Sequence, residues 1–116
     1  MNDRLFVERR FDLGNHEVIA RFYTPVLALG GEYQCRWRIE WPGREQERYA
    51  CGIDGVQALM LALRVVHTTL MEAEEYRSGA LTYLDQQDLD LPPTRSSGML
   101  YEAGPRSVWG WPSCTR

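Results

Sequence analysis

Apolar and polar residues alternate through most of the first half of this chain and then give way to a helical repeat. Arg4 to Phe11 is rich in β-formers and is followed by the turn cluster Asp12-Leu13-Gly14-Asn15, so a strand and a hairpin are expected. From His16, Val18, Ala20 and Phe22 alternate with Glu17, Arg21 and Tyr23 until Pro25 forbids further central pairing. Val26 to Glu32, with Gly30-Gly31, reads as a connection lying against the body of the domain. The cleanest period of two comes next: Cys35, Trp37, Ile39 and Trp41 share one face, and Gln34, Arg36, Arg38 and Glu40 the other. Pro42-Gly43-Arg44-Glu45 turns the chain, and Gln46 to Ile53 returns with Glu47, Tyr49, Cys51 and Ile53 set against Arg48 and Ala50.

The register of that last hairpin decides which side chains meet. Pairing Trp41 with Glu45 places Cys35 opposite Cys51, whereas pairing Trp41 with Glu47 places Trp37 opposite Cys51. Two free thiols, each a small hydrophobe, are expected in either case.

Asp54 and Gln57 have capping-box spacing, so a helix starts at Asp54-Gly55-Val56-Gln57 and runs to Glu75-Tyr76-Arg77, closed by Ser78-Gly79. Its length, about 35 Å at 1.5 Å per residue, overhangs an eight-residue strand. Val56, Leu59, Met60, Leu63, Val66 and Leu70 make the stripe expected against a sheet. Ala58, Leu61, Ala62 and Val65 widen it further, which calls for a second cover: loops, tail or another subunit. Those four are the candidate self-association residues, since symmetric dimers are the commonest assembly. Glu72, Glu74 and Glu75 oppose the helix dipole at its end, so fraying is expected there.

Ala80 to Leu84 reads as a short fifth strand or an extended segment. Asp85 to Asp90 is acidic, Pro92-Pro93 is a stiff break, and Thr94 to Gly98 is a polar linker. The expected architecture is α+β: a four-stranded antiparallel meander, one long helix across one face, a short fifth strand and an irregular C-terminal tail. Residues 1–93 form the domain and 94–116 an extension. Trp109 and Trp111 in the extension are expected to dock, because exposed indoles are wasteful.

A chain of 116 residues with 44 % hydrophobic residues suits one small domain. Up to Ile53, eight Arg balance eight acids, and the formal charge of −3 arises entirely from the second half. That distribution argues against nucleic-acid binding. Every basic residue is Arg. Three cysteines without C-x-x-C spacing, no apolar stretch after Met1-Asn2-Asp3-Arg4 and no bilayer-length apolar run lead to a cytoplasmic, non-membrane expectation.

Chemistry has few starting points. His67 sits near the core stripe with no nucleophile at a readable spacing, and His16 opens a strand. Asp85, Asp88 and Asp90 lack the Gly and the distal Glu of a calcium loop. No Walker A, G-x-G-x-x-G, G-x-S-x-G or H-E-x-x-H motif occurs, so no cofactor, metal or catalytic residue is assigned. The wet sheet face is the richest surface, with Arg10, Arg21, Arg36, Arg38 and Arg48 mixed among Glu8, Glu17 and Glu40. Cross-strand ion pairs explain such a face; Arg21, Arg36, Arg38 and Arg48, with Trp109 and Trp111, are the candidates for docking a protein partner.

Gly52-Ile53-Asp54-Gly55-Val56-Gln57-Ala58-Leu59, followed by Ala62-Leu63, resembles the strand-to-helix junction of a family of short bacterial proteins classed only as a domain of unknown function. The resemblance spans Leu5 to about Pro92, with a Trp-bearing strand upstream and Leu91-Pro92 at its end. This chain departs from the family at Gly55 and in the extension after Pro93. The resemblance implies a small α+β domain and brings no activity or cofactor. Four functions stay open, in this order: a non-enzymatic interaction module whose partner is another protein or a second copy, an immunity or antitoxin-like partner of a toxin, a small enzyme using His67 or Cys51, and last, against the charge distribution, a nucleic-acid binder.

Overall fold

In a computed structural model, which describes residues 4–93, the chain runs β1 (Leu5–Leu13), β2 (His16–Tyr23), β3 (Val26–Leu27), β4 (Tyr33–Trp41), β5 (Arg44–Gly52), α1 (Gly55–Glu72), α2 (Glu74–Arg77) and β6 (Leu81–Thr82). All pairings are antiparallel. The sheet therefore has six strands where four and a short fifth were expected. The extra one is β3, in the stretch read as a connection. Pro25 ends β2 as expected, but Val26 and Leu27 resume pairing with Gln34 and Tyr33 of β4. β3 thus prolongs β2 along the same edge of β4, while β5 takes the other. The short strand expected at 80–84 forms as β6, which pairs with Asp12 and Leu13 at the far end of β1.

The β4–β5 hairpin closes in two residues, with Trp41 opposite Arg44. Neither expected register occurs. Pro42 supplies the fixed φ of the first turn position and Gly43 accepts φ 88° at the second, the Pro-Gly chemistry of a type II turn. The tighter loop reverses β5: Ala50 and Gly52 face the helix, and Glu47, Tyr49 and Cys51 face away. Cys35 lies opposite Ala50, and Cys51 opposite Gln34. Cys35 is a buried free thiol, whereas Cys51, on the other face of the sheet, is disulfide-bonded, so the expectation of two free thiols fails. Ile53, expected in the core row, is 61 % exposed.

Helix α1 starts as its spacing dictates. The Asp54 carboxylate accepts from the Gln57 backbone N–H at 2.8 Å, and the Gln57 side-chain oxygen accepts from the Ile53 N–H at 2.8 Å. Two orphan donors are satisfied. The helix lies over β4 and β5, with Ala58, Ala62, Val66 and Leu70 fully buried. Val66 and Leu70 belong to the expected stripe, and Leu59 and Leu63 pack against the core, but the start of the seam differs. Val56 is 68 % exposed, while Ala58 and Ala62, assigned to an outer contact, face the sheet. They join Trp37 and Trp41 in one core cluster. Ala58 lies on Gly52 with backbone close to backbone, so the helix can approach β5 this closely only with small side chains at this end of the seam. Leu61 packs partly on the same core, and Val65 alone of the four is exposed.

The helix breaks at Ala73, whose φ and ψ of −75° and 148° are extended, instead of running on to Arg77. The break has an electrostatic benefit. Glu74 and Glu75, unfavourable at the end of one long helix, fall in the first turn of α2. Gly79, at φ 86°, closes α2 with a Schellman pair, Gly79 N–H to Tyr76 carbonyl and Ala80 N–H to Glu75 carbonyl, both at 3.0 Å.

The last described segment straps the domain. Leu89 enters the core, and Arg9 donates to the carbonyls of Leu89 and Asp90 while its guanidinium lies 4.4 Å from the Tyr83 ring centroid. From the helix, Arg64 Nη1 donates to the Pro93 carbonyl at 3.0 Å, and His67 Nδ1–H to the Pro92 carbonyl at 2.7 Å.

Candidate protein interface

Three surfaces could meet a partner, and their residues come together through the register just described. The face of the sheet away from α1 carries Arg21, Arg36 and Arg38. Arg21 holds Glu8 and Glu40, Arg38 holds Glu40 and Glu45, and Arg36 holds Glu47 at 2.7 Å with its guanidinium 3.8 Å from the Tyr23 ring centroid. Arg10 bridges Glu8 and Glu17 at 3.0 Å each. The acids and bases form an unbroken chain from Glu17 on β2 to Glu45 on β5. Hydrogen bonds from Arg10 and Arg21 hold the Glu8 carboxyl below its usual range, and the Glu45 carboxylate raises Arg38. Such pairs contribute roughly 0–1 kcal/mol each when exposed. Their chief effect here is to neutralise the face: each candidate docking arginine on it already has its carboxylate.

Arg48, grouped with that face in the sequence, lies on the opposite side. The two-residue turn places it across from Trp37, on the helix side of β5. It lines a groove of about 610 Å³ between the strand and α1, together with Trp37, Gln46, Val65, Thr69 and Glu72. Trp109 and Trp111, and the extension 94–116 to which they belong, lie outside the described residues.

The third surface was not anticipated. Of ten exposed large apolar residues, seven lie at one end of the domain: Leu5, Phe6, Val7, Leu27, Leu29, Ile53 and Val56. The pairings Leu5 with Tyr23, Val26 with Gln34 and Tyr33 with Gly52 fix that end, gathering the start of β1, β3, the loop after it, the close of β5 and the first turn of α1. Gly55 there stands over Pro25, where an added Cβ would meet the Pro25 Cβ at 3.6 Å. Leu5 to Val7 also occupies a stretch of β1 whose other edge no described strand covers, since β6 pairs only with Asp12 and Leu13. Apolar residues on an open strand edge are a recognised pairing site. The sequence signal was the apolar character of Leu5-Phe6-Val7 and Leu27 to Leu29, missed because the first reads only as a strand and the second as a connection lying against the body of the domain.

His67 is held by a backbone carbonyl, which can only accept, so Nδ1 carries the proton in that contact. Among the described residues no cluster of three or more His, Cys, Asp or Glu could hold a metal ion. No described helix is long and apolar enough to cross a membrane.

No curated protein and no solved structure matches the chain. A family described as a domain of unknown function, DUF6968, matches residues 7–93, which include the whole of the sheet from Val7 onward, both helices and the strap. The chain belongs to that DUF6968 family.

Proposed function

We propose that this protein is a non-enzymatic protein-interaction module and that its partner seats on the apolar end of the sheet. One observation carries the reading: seven large apolar side chains, exposed and contributed by three separate stretches of chain, lie at the one end of the domain where β1 begins and α1 starts. Single exposed apolar residues are ordinary, whereas a gathered patch marks an interface. The contact does not run through the helix seam, because Ala58 and Ala62 are inside the domain. Nor does it require the arginine face, whose cations are occupied.

The test compares affinity capture by the full chain with capture by the Leu29→Ser/Ile53→Ser variant, followed by direct titration of whatever protein distinguishes them. Both positions are exposed, so the variant folds. The expected result is a partner bound at least tenfold more weakly by the variant. Identical captured sets and identical affinities for the two proteins would remove the reading.

A further inference from the structure

We infer that the groove between β5 and α1 binds an extended peptide segment carrying an acidic side chain and, two residues along, a basic one. The inference rests on the interaction role above and names a second, chemically distinct contact. Among the described strands β5 pairs only with β4, and a strand edge of this kind is a recognised pairing site for an extended segment. The groove beside that edge, about 610 Å³, is large enough for two or three side chains.

Its chemistry is set by two donors without acceptors. Trp37 is only 4 % exposed, and its indole Nε1–H has no hydrogen-bond partner. Burying a donor unpaired costs on the order of 1–3 kcal/mol, a cost that an arriving acceptor would relieve. Arg48, directly across from Trp37, holds no carboxylate, although its neighbours Arg36, Arg38 and Arg44 each hold a glutamate. Both groups can only donate, which selects an acceptor and, beside a guanidinium, an anion. The Glu45 and Glu47 carboxylates at the groove's rim are drawn to Arg38 and Arg36 on the far face, so they do not answer Arg48.

The spacing comes from how helix and strand run past each other. Gly52 abuts Ala58, and Arg44 pairs with Glu75, so α1 runs antiparallel to β5. Measured from the Gly52–Ala58 contact, Arg48 lies about 13 Å along β5 and Glu72 about 21 Å along α1, which is helical without a break as far as Glu72. Arg48 therefore stands level with Val66 to His67, and Glu72 level with Glu45 to Gln46. The separation along the groove is about 8 Å, close to the roughly 6.6 Å between alternate side chains on one face of an extended chain. An acid opposite Arg48 thus places the side chain two residues along near Glu72, where a base is favoured and a second acid repelled. Val65 and the Thr69 methyl form the floor between them.

The experiment selects a phage-displayed library of random dodecapeptides on the full-length chain, and then titrates synthetic winners by fluorescence polarisation. The Trp37 indole resonance, identified with Trp37→Phe, is followed by ¹H–¹⁵N spectroscopy. The proposal expects winners with an acid and a base two positions apart, a shift of the Trp37 indole signal on binding, and at least tenfold weaker binding to Arg48→Gln. Replacing the peptide's acid by its amide should then remove the difference between wild type and Arg48→Gln. No binders, winners without that spacing, or affinities indifferent to Arg48→Gln would each overturn it. Binders lost with Leu29→Ser/Ile53→Ser but not with Arg48→Gln would overturn the groove while leaving the apolar end standing.

Discussion

Gly52 lies so close beneath Ala58 that a Cβ at residue 52 would sit 2.5 Å from the Ala58 nitrogen and 2.9 Å from the Gln57 carbonyl carbon. The end of β5 and the first turn of α1 touch backbone to backbone, which fixes both the helix's height above the sheet and the apolar end that flanks it.

Gly52→Ala should therefore destabilise the fold. The neighbours are main-chain atoms that cannot step aside, and overpacking of this kind costs about 1–3 kcal/mol. Gly55→Ala should do the opposite. Its Cβ would meet Pro25 at an ordinary 3.6 Å, and the substitution stiffens the unfolded chain, stabilising by about 0.4–1 kcal/mol. Urea midpoints of the two variants against wild type check both signs.

Removing the cap should loosen the same junction. Asp54→Ala loses the 2.8 Å bond to the Gln57 N–H and is expected to cost about 1 kcal/mol, whereas Asp54→Ser should retain most of it. Chemical denaturation read by far-ultraviolet circular dichroism separates them.

Ala62 and Val65 distinguish the inner seam from the outer flank of α1. Ala62→Leu forces three extra carbons into the buried core and should cost about 1–3 kcal/mol; Val65→Leu, on an exposed flank, should stay within about 0.5 kcal/mol. Equal effects in thermal melts would show that the helix is not seated on Ala58 and Ala62.

Acid should weaken the domain through its paired carboxylates. Arg44 holds Glu75 at 2.9 Å and depresses its pKa, and Arg10 and Arg21 do the same to Glu8. A carboxylate with a folded pKa below its unfolded value stabilises the fold above the unfolded value, about 4.3, and loses that contribution as pH falls through the folded one. Stability should thus be level near neutrality and decline below about pH 4.5. In Arg44→Gln the decline should be shallower, because Glu75 then titrates closer to its ordinary value. Denaturation midpoints from pH 7 to pH 3 for both proteins measure the difference.

Much of this fold was legible before any coordinates. The row Cys35, Trp37, Ile39 and Trp41 is buried as its alternation requires, and Asp54 with Gln57 starts the helix. The arginine–glutamate face was also readable, since alternate polar positions on adjacent strands must meet. Less legible were the surfaces that matter for binding. Arg48 was assigned to the wrong side because alternation within one strand gives two faces without saying which is inner. The seam reads correctly at Val66 and Leu70 but not at its start, where Ala58 and Ala62 are buried and Val56 is exposed, because a run as apolar as Ala58 to Leu63 has no single phase.

The sequence by itself determined the four long strands and the start of the long helix, where that helix is capped, and that one sheet face is charged, but not β3 or the break at Ala73. Those properties depend on neighbours within a few residues, where backbone preference and side-chain period act directly. Tertiary structure alone decided that Pro42-Gly43 closes the hairpin in two residues, that Ala58 and Ala62 are buried against the sheet, and that residues from three stretches lie at one apolar end. Each depends on how far separate segments can approach, and that distance is set by the bulk of side chains remote in the chain, which no local pattern records.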